Sequence, residues 1–204
     1  MPELWQAHLT FALLAFILLP GVGLGRPLHA LLLVLLFGIS FIPVDGLPLA
    51  GYIRSFTDDL AITTLVALAF IAAVRLGLTA RLEGPCRLQL LIVMAALALF
   101  LYPATLGLSA FDPYRLGYNP RPLILFIGVL TLVLLLLRNW LGAGMLGLAT
   151  LAFSLGIKPS PNYWDYLLDP LVALYCWGAL LAHAARMIPR GRAAQRESKR
   201  PIPL

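Results

Sequence analysis

Three short stretches hold most of the residues that could do chemistry. YIRSFTDD sets Arg54 just ahead of the carboxylates Asp58 and Asp59, DPYRLG holds Arg115, and NYWDYLLDP holds Trp164 and Asp165. A guanidinium grips a carboxylate or a phosphate through two parallel hydrogen bonds. Paired carboxylates beside it offer a hold on a phosphorylated group, with or without a divalent cation. Arg54, Asp58, Asp59, Arg115, Asp165 and Trp164 form the expected ligand- or partner-binding set, and no catalytic residue is assigned.

Several acids have plainer work. Asp169-Pro170 and Asp112-Pro113 have the form of a helix N-cap followed by proline at the first helical position. Asp58 or Asp59 is placed to cap the next helix, at the positive end of its dipole. Arg54, Arg115, Arg121 and Lys158 stand among these acids, which points to ion pairs between loops or to an anion site. Tyr163, Trp164 and Tyr166 read as an interfacial aromatic belt, or as a stacking surface for a sugar or a partner.

No familiar catalytic apparatus joins these groups. His8, His29 and His183 are spaced too widely to share a metal, so no metal or cofactor is expected. Ser40, Ser55, Ser109 and Ser160 lie outside any G-x-S-x-G setting and have no histidine nearby in sequence. Cys86 and Cys176 fit neither a disulfide nor a metal site. Gly142, Gly144 and Gly147 spell G-x-G-x-x-G, but a nucleotide loop needs a preceding strand. Close helix packing through Ala143 and Gly147 is the expected role. The balance leans away from an enzyme.

The elements that must position these residues follow from composition. Of 204 residues, 61% are hydrophobic and 12% charged, and mean hydropathy is +0.91. A soluble domain is nearer half apolar and a quarter charged, and a chain this small cannot hide the excess in one core. About 20 apolar residues cross a bilayer. Seven segments suit that ruler: 5–24, 27–44, 59–76, 88–108, 122–137, 141–157 and 168–188. Arg138, Asn139 and Trp140 read as a tight turn between the fifth and sixth. The expected fold is an all-α, polytopic transmembrane bundle of about seven spans over residues 1–188. A basic cytoplasmic tail, 189–204, is expected to be disordered.

The net charge of +6 is concentrated: Arg186, Arg190, Arg192, Arg196, Lys199 and Arg200 crowd the C-terminal end. That is the mark of a cytoplasmic anchor, and without a basic stripe among aromatics it excludes nucleic acid as a partner. With the tail inside, seven spans put the N-terminus outside, and the basic loop residues then gather on the inner side. The start carries Glu3 and no basic leader, so the first segment reads as a permanent span. The outer loops, 43–59, 109–122 and 158–170, are rich in Pro, Gly, Asp and Tyr and should form a structured cap. Tyr102-Pro103 should kink the fourth span and open a crevice beneath that cap. Thr63 and Thr64 should bond back within the third span or across to a neighbour.

No Asp, Glu, Lys or Arg falls in the middle of a span, which argues against coupled transport. The expectation is an accessory or scaffold subunit of a cell-envelope complex that docks a partner or ligand through its outer-face loops. Its partners would be the lipid bilayer and a membrane or periplasmic protein. An enzyme acting on a lipid-linked phosphorylated headgroup at the outer leaflet is the alternative, and a small permease the next. Thirteen Arg against two Lys suits a GC-rich bacterium, hence a multi-pass protein of the inner membrane.

Overall fold

The computed structural model describes residues 4–20, 23, 25–108 and 111–197, with 188–197 by backbone alone. Glu3, Ser109, Lys199 and Arg200, each weighed in the sequence above, lie outside the described residues.

Among the described residues the chain is all-helical apart from a short hairpin of two-residue strands. In order it runs α1 (Trp5–Leu18), α2 (Arg26–Ile39), β1 (Pro43–Val44), β2 (Leu47–Pro48), α3 (Leu49–Thr57), α4 (Ile62–Arg75) and α5 (Gly84–Thr105). A 3-10 helix (Pro113–Gly117), α6 (Arg121–Leu136), α7 (Trp140–Ser154), α8 (Trp164–Leu167) and α9 (Pro170–Glu197) complete it. Each of the seven apolar segments overlaps one of the longer helices, and Arg138 and Asn139 lie in a turn between α6 and α7, with Trp140 already the first residue of α7. α9 continues through Glu197, into the segment expected as a tail.

The lengths differ from expectation. α5 has 22 residues and is the one described helix long and apolar enough to cross a membrane by length and composition. At a rise of about 1.5 Å per residue it covers about 33 Å. α1, α2 and α4 have 14 residues each, about 21 Å against a hydrocarbon core of about 30 Å. Seven helices each long enough to span are therefore not found. Turn chemistry trims the apolar runs. Gly77, Gly107 and Gly156 have φ of +69°, +75° and +61°, a left-handed conformation that ends a helix and costs only glycine little. The next residue's N–H then bonds back into the last turn: Leu78 to Ala73, Leu108 to Pro103, Ile157 to Ala152. Arg138, φ +57°, plays the same part without glycine.

The main core joins α4 to α9. Leu60, Met94, Ile127, Leu146, Tyr163 and Leu167 are fully buried within it. A second cluster, centred on Phe16, Ala12 and Ala72, holds α1 and α2 to α4. Outside these clusters the helices present bare apolar flanks, including Leu28, Leu31 and Val34 on α2 and Leu125, Val129 and Leu132 on α6. Contiguous apolar surface of this kind is rare on proteins that face water alone.

Two polar networks close one end of the bundle. Arg75 donates to the carbonyls of Phe16, Ile17 and Leu19, satisfying the last turn of α1, and stacks over the Phe16 ring. Asn139, fully buried, accepts from Gly142 N–H as the N-cap of α7 and donates to Cys86 O (2.7 Å) and Gln89 Oε1 (3.2 Å) of α5. Gly142 packs beside Leu134, whereas a Cβ at Gly147 would meet nothing within 4 Å. The close approach therefore runs through Gly142, not through the Ala143–Gly147 face.

Candidate functional site

The opposite end gathers the start of α4 and α9, the end of α5, and α3, α8 and the 3-10 helix. α3 is introduced by the hairpin, whose turn residues Asp45 and Gly46 both have positive φ. Tyr52 of α3 donates back to Val44 O. α3 then breaks at Asp58, whose φ of +54° and ψ of −166° lie where glycine is usual.

Three aromatics form the floor of this end. Tyr163, Trp164 and Tyr166 are each at most 1% exposed. Trp164 Nε1 donates to Pro113 O, and Tyr166 Oη donates to Lys158 O while accepting from Lys158 N–H. Burial pushes the Tyr163 hydroxyl up to about 12, against a bond from Thr150. The aromatic belt and the stacking surface are thus both corrected: these rings are packed inward, with Trp164 and Tyr166 bonded to backbone carbonyls and Tyr163 to the Thr150 hydroxyl of α7. Trp164 cannot serve as an exposed docking residue.

Asn162, fully buried, stitches the loops together. It donates to Tyr114 O (3.1 Å) and accepts from Trp164 N–H (2.9 Å), while Gly117 O accepts from Tyr163 N–H. Lys158 is buried too, and its ammonium donates to three carbonyls: Asp59 (2.8 Å), Leu60 (3.1 Å) and Asp165 (2.8 Å). Burial lowers its proton affinity, and the surrounding Asp165, Asp59, Asp169 and Asp58 oppose that.

Over this floor lies a cavity of about 530 Å3, within the usual range for a small-molecule site. Its wall carries Arg54, Asp58, Asp59, Asp165 and Asp169, with Tyr102 and Thr105 of α5 and Tyr114 of the 3-10 helix. Pro103 is inside α5 between those two lining residues. Asp165 accepts from Tyr114 Oη (3.0 Å) and from Ser160 Oγ. Burial first, then the Asp165 charge, raise the Tyr114 hydroxyl. Asp169 accepts from Val172 N–H as the N-cap of α9 and from Ala61 N–H at the start of α4, both at 2.9 Å. Asp112 accepts from Tyr114 N–H and caps the 3-10 helix.

Asp59 stands apart. Its Oδ2 accepts from Arg54 Nη2 at 2.7 Å. Its Oδ1 is buried and has no partner, and the side chain is 9% exposed. Neither Asp58 nor Asp59 caps α4, whose N-cap is Ala61 without a side-chain bond. Asp169, from over a hundred residues away, supplies the acceptor there instead. Thr63 Oγ1 bonds across to Leu167 O (2.7 Å), and Thr64 Oγ1 has no partner.

Of the expected set, Arg54, Asp58, Asp59 and Asp165 share the cavity. Arg115 is exposed and off its wall, and Trp164 lies beneath it facing an apolar groove. Among the described residues the one ion pair is Arg54–Asp59, so ion pairing does not pin the cap; backbone carbonyls and amide groups do. Ser160 and Tyr114 are contributors that sequence reasoning did not place in the site, and Lys158, expected in an ion pair or an anion site, instead holds backbone carbonyls. One further correction concerns Ser40. His8 Nδ1 lies 2.8 Å from its Oγ, and Phe41 stacks on the imidazole at 3.8 Å. The Ser40 hydroxyl already donates to Phe37 O, so the pair ties α1 to α2 and is not set as nucleophile and base.

Comparison with protein-family models, curated proteins and solved structures gave no match.

Proposed function

We propose that this chain is a multi-pass integral membrane protein of the bacterial inner membrane, with its seven longer helices in the bilayer. In this reading, its loop end faces away from the cytoplasm and binds a polar ligand, or a polar group of a partner, in the Asp59 cavity. The observation that carries this reading is the cavity itself: a polar recess with an unpartnered buried carboxylate oxygen, set at the end of helices with bare apolar flanks. The apolar flanks favour a lipid surrounding, and helices of about 21 Å would seat with the help of their flanking turns and a locally thinner bilayer. An accessory, ligand-holding role is favoured over catalysis. The lining hydroxyls of Ser160 and Thr105 are already donating to Asp165 and Tyr102 O, and no histidine is on the wall.

The test uses a chain with Cys86 and Cys176 replaced by serine. Phe56→Cys at the loop end and Trp140→Cys at the other end, both exposed, are treated in intact cells with a membrane-impermeant maleimide. Phe56→Cys should react from outside and Trp140→Cys only after permeabilisation. Equal reaction of both, or release of the protein from membranes by alkaline carbonate, would sink the proposal.

A further inference from the structure

We propose that the cavity binds a primary ammonium group, of the kind carried by an ethanolamine headgroup or by a free amine. This deepens the ligand-binding reading above and rests on it. The wall carries four carboxylates, Asp58, Asp59, Asp165 and Asp169, against two cations, Arg54 and Lys158. Both cations are already committed. Lys158 gives its ammonium to three carbonyls, and Arg54 faces Asp59 Oδ2. An anion entering here would meet an acid excess and few donors, which removes the phosphate site suggested by the arginines in sequence.

The acceptors tell the complementary story. Asp165 is served by Tyr114 and Ser160, and Asp169 by two backbone N–H groups. Asp59 Oδ1 is buried with nothing to accept from, and a buried acceptor left unpaired costs about 1–3 kcal/mol. Asp58 is exposed beside it, on a backbone held in an unusual conformation. The unfilled demand is for a donor with positive charge. An ammonium supplies three N–H groups and one charge, and the hydroxyls of a neutral sugar would leave the acid excess unmatched. A divalent cation needs several ligands converging, and among the described residues no group of three or more His, Cys, Asp or Glu is so arranged. Tyr102 and Tyr114 add aromatic wall, which favours a cation further. Arg54, whose side chain is 33% exposed, pairs only with the other oxygen of Asp59.

Thr105 is exposed on the cavity rim, so Thr105→Cys in the Cys86→Ser, Cys176→Ser chain gives a labelling readout. Maleimide reaction is timed in detergent with ethanolamine, choline, phosphate, Mg2+ or glucose, and in nanodiscs of phosphatidylcholine with or without phosphatidylethanolamine. Ethanolamine or phosphatidylethanolamine should slow the reaction, and choline, which has no N–H, should not. Slowing by phosphatidylethanolamine alone assigns a lipid source, and slowing by free ethanolamine a soluble one. Asp59→Asn should weaken the protection tenfold or more. The exposed Asp58→Asn, which leaves folding undisturbed, should weaken it by up to about fivefold. Protection by choline equal to that by ethanolamine overturns the proposal. Protection by phosphate, Mg2+ or glucose in place of the amine overturns the ammonium class but leaves the cavity as a binding site. If no probe alters the labelling, both the inference and the ligand-binding reading fall.

Discussion

Gly117→Ala should unfasten the loop end while leaving the helices intact. A Cβ at Gly117 would stand 1.7 Å from Asn162 Oδ1, 2.6 Å from Asn162 Cγ and 2.8 Å from Trp164 Cδ1. None of these atoms is the loose end of a flexible chain, because Asn162 and Trp164 are fully or almost fully buried and bonded at both ends. Relief must therefore come from moving Asn162, which gives up its bonds to Tyr114 O and Trp164 N–H. Overpacking costs about 1–3 kcal/mol, and each buried partner left unpaired about 1–3 kcal/mol. A loss of about 3–5 kcal/mol is expected. Reversible unfolding in mixed micelles, followed by tryptophan fluorescence, measures it. Gly144→Ala is the control: a Cβ there meets nothing within 4 Å, and alanine is the better helix former by about 1 kcal/mol. It should be neutral or stabilising. A Gly117→Ala chain that unfolds within about 0.5 kcal/mol of wild type would show that the Asn162 junction does not hold the cap as argued.

Two further outcomes follow from the same geometry. Lys158→Met should cost about 2–5 kcal/mol by stranding three carbonyls, and should change the response to alkali. In the wild type, the lowered Lys158 pKa means that the folded state releases its proton before the unfolded chain does, so stability rises with pH up to about 10.5. Tyr163, raised to about 12, works in the opposite sense: its contribution is intact below about pH 10 and is lost as pH climbs to 12. The Met variant should lose the rise and keep the fall in unfolding measured between pH 8 and 12; a rise that survives the substitution would refute the role given to Lys158. Asp169→Ala should cost about 2–4 kcal/mol, part from the lost α9 cap and part from the stranded Ala61 N–H, and Asp169→Asn less. Equal losses in the same unfolding assay would mean that an acceptor at this position is not what matters.

Helix content was legible because apolar runs separated by Pro, Gly and Arg leave little else to form. Their lengths were not. Gly107 and Gly156 fall inside the apolar runs 88–108 and 141–157, and Gly77 just after 59–76, and only the fold shows each in a left-handed turn that ends a helix. The hairpin did leave a trace, since Asp45-Gly46 is a favoured turn pair between short apolar runs. With only two residues in each strand, no alternation flanks the pair to mark it as a hairpin rather than a plain loop turn. The pairing of His8 with Ser40 left none: thirty-two residues separate them, and neither type is unusual at the end of an apolar segment.

The candidate site divides along a physical line. Arg54, Asp58, Asp59 and Asp165 were legible because charge is scarce in this chain and each charged residue there needs a reason. Partner choice was not legible, because it depends on burial. Lys158 and Arg115 are both cations in loops rich in proline and tyrosine, and sequence gives no ground for ranking them. Lys158 is held because the 158–160 segment folds against Tyr166 and brings its ammonium under the carbonyls of Asp59, Leu60 and Asp165. Arg115 projects from a five-residue 3-10 helix into the open. That exchange sets the sign of the cavity. With Arg115 outside and Lys158 spent on backbone, the carboxylates outweigh the free positive charge, so a stretch that reads in sequence as a place for an anion becomes, once folded, a place for a cation.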